Sequence, residues 1–181
     1  MVYLLLGEGF EEIEAITIAD ILRRAQIPMQ TAGIGGKTVT GAHGLQSLAD
    51  IAVEDLDLPN MTAVVLPGGL GGVESIEASA PAMAAVEYAI RNDRYVAAIC
   101  AAPTILGKRG WLNGKQATCY PGMETGMGKA LMQPGAKAVV DGRLITGQAP
   151  GAAMEFALTL VEVLKDKDTA DLVTGFLVYQ R

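Results

Sequence analysis

The amino-acid sequence predicts an α/β fold: a mainly parallel sheet held between layers of helix in a three-layer sandwich. Three observations lead there. Val2–Leu6, Thr62–Leu66 and Tyr95–Ile99 are short, continuous apolar runs, the pattern of strands covered on both faces. Stretches of helical spacing or composition alternate with such runs along the whole chain, so successive strands need crossover connections and pair in parallel. Apolar residues occupy 50% of the 181 positions, enough for a sizeable core.

Val2–Leu6 is the first strand, and Gly7-Glu8-Gly9-Phe10 is its exit loop. Glu12–Arg24 follows as a helix, with Ile13, Ile16, Ala19 or Asp20, and Leu22 at helical spacing, and with Arg23 and Arg24 at the end that attracts cations. Pro28–Ile34 is a second strand, after which Gly35-Gly36 turns into a short ribbon, Thr38-Val39-Thr40, around Gly41-Ala42-His43-Gly44. Asp50–Val53 is extended and Glu54-Asp55-Leu56 is a helical turn. Thr62–Leu66 exits through Pro67-Gly68-Gly69, and the next element is a helix at Ala80–Asn92, where Pro81 suits the first turn. Tyr95–Ile99 runs into Cys100, Thr104–Arg109 continues as a helix, and Gly110 ends it. Lys115–Cys119 is a short strand, and Pro121–Met132 is a loop with room for a helix. Ala136–Val140 and Leu144–Thr146 make a hairpin through Asp141-Gly142. Ala152–Leu164 and Thr169–Leu177 are the closing helices. No repeat, low-complexity tract or linker interrupts the chain, so residues 1–181 are expected to form one domain.

Composition narrows the function classes. Cys100 and Cys119 are too few for a disulfide framework and read as free thiols of a reducing cytosol. The N-terminus lacks a basic n-region and no apolar run approaches membrane-spanning length, so a soluble cytoplasmic protein without a membrane partner is expected. A net charge of −6 without Lys/Arg clusters speaks against nucleic acid, whose phosphates require a basic face. The single histidine, His43, rules out a histidine-rich metal site and removes most Cys-His-Asp triads, so neither a metal nor a cofactor is expected.

The stretch that bears chemistry is Val96-Ala97-Ala98-Ile99-Cys100-Ala101-Ala102-Pro103. A strand that stops at a nucleophile and passes into a helix is the layout of a nucleophile elbow, and Ala98 and Ala102 supply the small flanking residues. Taken alone, the octet fits a buried, unreactive cysteine equally well. Ligands of a parallel sheet bind beyond the carboxyl ends of its strands, and three strand exits share that edge. They carry the acidic set Glu11, Glu12 and Glu14, the Gly68-Gly69 turn, and Cys100. A helix N-terminus is expected to lower the thiol pKa, a nearby carboxylic acid could carry a proton, and the N–H groups of Gly69 and Ala101 could face a developing oxyanion. Their joint placement favours a nucleophile over filler.

Glu11-Glu12-Ile13-Glu14, Val65-Leu66-Pro67-Gly68-Gly69, Ala98-Ile99-Cys100-Ala101-Ala102-Pro103 and Ala149-Pro150-Gly151 with Glu155-Phe156-Ala157, in this order and spacing, resemble the ThiJ/PfpI family over essentially the whole chain. The likeness is greatest to the branch of the parkinsonism-associated protein deglycase and its bacterial relatives. It implies a flavodoxin-like, class I glutamine amidotransferase-like sandwich, usually a homodimer, with Cys100 as nucleophile, Glu14 as its protonated partner, and backbone donors at Gly69 and Ala101. The implied activity is that of a cysteine-dependent enzyme on small α-oxoaldehydes or early adducts of glycated proteins, of the glutathione-independent glyoxalase or deglycase type. The alternative is an oxidative-stress sensor or redox-regulated chaperone acting through oxidation of Cys100.

Departures from the family pattern bear on the choice. Ala101 follows Cys100 where the peptidase-like branch has histidine, so a cysteine peptidase or amidase would lack its base. Tyr120 stands where several glyoxalase members carry histidine, and a phenol is a poor base near neutral pH. By the resemblance, His43 lies near the active site, contributed by the partner subunit in related dimers; a solvated loop histidine fits it equally. Arg24 either binds an anion near the pocket or ends a surface helix, Gly68 accompanies Gly69 in its turn, and Cys119 reads as a structural thiol close to the site.

Overall fold

The computed structural model describes all residues from Met1 to Arg181. The chain runs β1 (Val2–Leu6), α1 (Glu12–Arg24), β2 (Met29–Gly33), β3 (Thr38–Thr40), β4 (Gln46–Leu48), β5 (Ile51–Ala52), β6 (Ala63–Leu66), α2 (Leu70–Ala78), α3 (Ala80–Arg91) and β7 (Tyr95–Ile99). It continues through α4 (Pro103–Lys108), β8 (Gln116–Ala117), β9 (Leu131–Met132), β10 (Ala138–Asp141), β11 (Leu144–Gly147), α5 (Ala153–Leu164) and α6 (Lys167–Phe176). The central sheet is 7-stranded, in the order β10-β11-β7-β6-β1-β2-β5, and parallel except for the β10–β11 hairpin. From β1 the chain moves one way to β2 and later the other way to β6 and β7. Right-handed crossovers in opposite directions put α1, joined by α5, on one face and the α2–α3 pair on the other.

This two-sided cover explains the continuous apolar runs. Every residue of β1 and β6 is buried, and in β7 only Tyr95 is partly exposed. The predicted α/β fold with its mainly parallel sheet is therefore what forms. No helix is long and apolar enough to cross a membrane.

Three expectations change. No element is predicted between Gly69 and Ala80, yet α2 occupies Leu70–Ala78. Its glycines look like loop formers but are contact residues: a Cβ on Gly72 would lie 2.8 Å from Cα of Phe10, so only glycine lets α2 rest on the loop after β1. The Lys115–Cys119 strand shrinks to Gln116–Ala117, because Thr118 N–H turns to Thr146 Oγ1 and Tyr120 N–H to the Cys100 carbonyl. The helix α1 is also rotated relative to its expected apolar side. Ala15, Ile18 and Leu22 form the buried stripe, whereas Ile13 and Ile16 are 58% and 51% exposed. That rotation carries Glu14 inward.

Candidate active site

The exits of β1, β6 and β7 meet at the C-terminal edge of the sheet. Cys100 has φ = +66°, a left-handed conformation that costs a residue with a side chain about 1–2 kcal/mol. Neighbouring backbone holds it there: Cys100 N–H donates to the Gly147 carbonyl at 3.0 Å, and the Cys100 carbonyl accepts from Tyr120 N–H at 2.8 Å. The sharp turn presents the thiol to a cavity of about 800 Å³.

Glu14 lies beneath it with no exposed surface. Gly68 N–H donates to its Oε2 at 2.6 Å. Its Oε1 is buried with no partner at hydrogen-bond geometry, and the Cys100 thiol beside it is a donor the carboxyl group can take. Gly68 makes this approach feasible. A Cβ there would lie 2.6 Å from Cβ of Cys100 and 2.7 Å from Oε2 of Glu14. Gly69, at φ = +83°, is constrained too, since its Cβ would lie 2.3 Å from the Gly9 carbonyl oxygen.

Thiol and carboxyl titrate as one unit. Burial pushes Glu14 up to about 7, helped by the charge of Glu11 and opposed by the Gly68 N–H and the Cys100 hydrogen bond. Burial, and then the Glu14 carboxylate, push the Cys100 thiol up to about 12, while the N–H groups of Ala101 and Gly69 pull it down. The expected lowering by a helix terminus is therefore overturned. The helix α4 is one short segment beginning at Pro103, and its dipole is outweighed by lost hydration and by the neighbouring carboxylate. The pair can hold a single proton in two places. With the proton on Glu14, the carboxylate repulsion vanishes and the carboxyl group can donate to a thiolate held by Ala101 and Gly69.

A second carboxylate organises the rim. Glu12 Oε1 accepts from His43 N–H at 2.7 Å, and Oε2 lies 2.8 Å from His43 Nδ1. Burial pushes the Glu12 carboxyl up, but the His43 and backbone hydrogen bonds outweigh it and hold the group below its ordinary value; the same pairing raises His43. Glu11, Glu12 and His43 bring ligating atoms within 4.8 Å of one another. Both oxygens of Glu12 are already engaged by the His43 loop, so the cluster is closed on itself.

These features can be set beside known proteins. The model of the DJ-1/PfpI family matches residues 1–163. The chain belongs to the DJ-1/PfpI family. It is 39% identical over 177 residues to protein dj-1beta of Drosophila melanogaster, covering 96% of this chain and 95% of that one. The crystal structure of that fly protein superposes with a TM-score of 0.94, at 36% identity over 99% of this chain and 98% of the other. A Caenorhabditis elegans relative named glutathione-independent glyoxalase DJR-1.2 is 31% identical over 166 residues, 90% of this chain and 87% of its own.

Within this DJ-1/PfpI chain, Cys100, Glu14, Gly68, Gly69 and Ala101 converge. Tyr120 and His43 line the same cavity, together with Glu11 and Met123. His43 lines the cavity of its own chain, where Glu12 anchors the loop after β3. Arg24 does not reach the site of its own chain. It sits at the far end of α1, with Nε 2.6 Å from Oδ2 of Asp20, since a helix leaving the C-terminal edge of a sheet ends at the opposite edge. Cys119 is buried but lines a separate pocket of about 100 Å³, and its Sγ donates to the Tyr120 carbonyl at 3.4 Å. The Glu12–His43 pair has no local sequence signal, because the partners are 31 residues apart.

Proposed function

We propose that the protein is a cysteine-dependent enzyme acting on small α-oxoaldehydes or their early protein adducts, of the glutathione-independent glyoxalase or deglycase type. The observation that carries this reading is the Cys100–Glu14 pair: a thiol in a left-handed elbow against a buried carboxyl group that titrates near 7, opening on a cavity with room for a small aldehyde. The glyoxalase name of the worm relative supports the reaction class.

Cys100 Sγ bonds to the aldehyde carbon, the carbonyl electron pair moves to oxygen, and a proton completes the hemithioacetal. Gly69 and Ala101 N–H groups stand beside the sulfur, where that oxygen develops charge. Glu14 then removes the proton from the sulfur-bearing carbon and delivers one to the neighbouring carbonyl carbon. The first carbon is oxidised to a thioester as the second is reduced to an alcohol, so no outside redox partner is needed. Water cleaves the C–S bond, releases the 2-hydroxy acid and restores the thiol. Tyr120 and His43 serve as hydrogen-bonding accessories at the rim. The exposed Ile13 and Ile16 of α1 support a homodimer built on that face.

Lactate release from methylglyoxal without glutathione tests the reading. The wild type should form lactate and Cys100→Ala should not; undiminished formation in the variant would overturn it.

A further inference from the structure

The opposite, N-terminal edge of the sheet carries a concavity unrelated to Cys100. One lobe, of about 470 Å³, opens where β1 and β7 begin and α5 ends, with Arg94, Arg143 and Lys165 on its wall. A second lobe, of about 530 Å³, extends past Trp111 and shares Asp93, Arg94 and Arg143 with the first. In a chain of net charge −6, the side chains of Arg94, Arg143 and Lys165 and the Met1 ammonium face the first lobe against the one carboxylate of Asp93.

Two of these cations are fixed by their surroundings. Arg143 stacks 4.4 Å above the Tyr95 ring and donates from Nε to Asp93 Oδ2 at 3.2 Å. Lys165 donates to the Ala25 carbonyl at 2.9 Å, as expected of a cation where helices end. Arg94 differs. Every other arginine has a carboxylate partner, namely Asp50, Asp20, Glu87, Glu77, Asp93 and Glu155 for Arg23, Arg24, Arg91, Arg109, Arg143 and Arg181. The Arg94 guanidinium has none, and its Nε is buried with no acceptor in the protein. The buried Nε gains nothing from the protein, and the side chain lines both lobes without an ion-pair partner, so the rest of the guanidinium is free for an acceptor from outside the chain.

We propose that this two-lobed cavity binds a small organic phosphate, with the phosphate group held by Arg94 and Arg143 and the organic part directed toward Trp111. Guanidinium forks match phosphate oxygens, and the excess of cations over the single carboxylate suits a phosphate monoester dianion. A monocarboxylate would leave more of this charge unmatched.

Trp111 is the chain's single tryptophan and gives a direct readout. Its fluorescence is followed while glycerol 3-phosphate or inorganic phosphate is added at constant ionic strength, with chloride as the control. Glycerol 3-phosphate should give a saturable change at lower concentration than inorganic phosphate, and chloride should give none. Arg94→Gln should weaken binding at least tenfold, Arg94→Lys should weaken it less because the charge remains, and Cys100→Ala should bind like the wild type. A response equal to that of chloride, an unaltered midpoint in Arg94→Gln, or loss of binding in Cys100→Ala would each overturn the assignment. Inorganic phosphate binding as tightly as glycerol 3-phosphate would overturn the organic part of it.

Discussion

The two edges of the sheet are electrostatic opposites, and the same helices make them so. At the C-terminal edge helices begin, and the backbone N–H groups of Gly68, Gly69 and Ala101 take up Glu14 and Cys100. At the N-terminal edge helices end, and cationic side chains collect: Arg24 on Asp20, Lys165 on the Ala25 carbonyl, and Arg94 on nothing. The first edge is held mainly by backbone N–H groups and buried side chains. The second depends on individual side chains that water can reach.

The largest test of that contrast is removal of the sulfur. Cys100→Ala should cut lactate formation from methylglyoxal by roughly a thousandfold or more while circular dichroism stays unchanged. Glu14→Gln probes the electrostatics of the same edge. Because the folded-state carboxyl pKa is raised from 4.5 to about 7, the native chain keeps a proton that the unfolded chain releases, so this group's contribution declines as pH rises through that window. Wild-type stability relative to Glu14→Gln should fall by about 3 kcal/mol between pH 4 and pH 8 in denaturant titrations. Parallel pH curves for the two proteins would show that the carboxyl is not raised.

Gly68→Ala forces a methyl group between Cys100 and Glu14 and should destabilise the fold by about 1–3 kcal/mol, lowering the midpoint of thermal unfolding by several degrees and activity with it. A variant as stable and active as the wild type would mean that the loop yields freely. The smallest effect belongs to the opposite edge. Arg24→Ala breaks only an exposed pair with Asp20 and should leave both lactate formation and thermal unfolding unchanged. A tenfold loss of activity there would bring Arg24 back to the site.

Much of the framework was legible in the sequence because it rests on local rules. The unbroken apolar runs at Val2–Leu6 and Tyr95–Ile99 became buried strands with those bounds, and Glu12–Arg24 became α1. Cys100 between small residues at a strand end read as an elbow, and its φ of +66° is that elbow. Where a residue's neighbours decide the matter, the reading went astray. The glycines of Leu70–Val73 resemble a loop until α2 is seen lying against Phe10. Ile13 and Ile16 have core-like spacing, but so does the stripe that packs, and only the docked helix tells them apart.

The sequence alone determined the α/β class, the family, and the strand exits that bear the acidic turn, the glycine pair and the cysteine, because period, turn chemistry and motif spacing are properties of neighbouring residues. Tertiary structure decided which charges share a dry space. Glu14 meets Gly68 across 54 residues and His43 meets Glu12 across 31, and burial then moves the Glu14 and Cys100 protons in ways no local pattern encodes. Desolvation depends on everything packed around a group, and so the thiol expected to be lowered by its helix is raised by its neighbours.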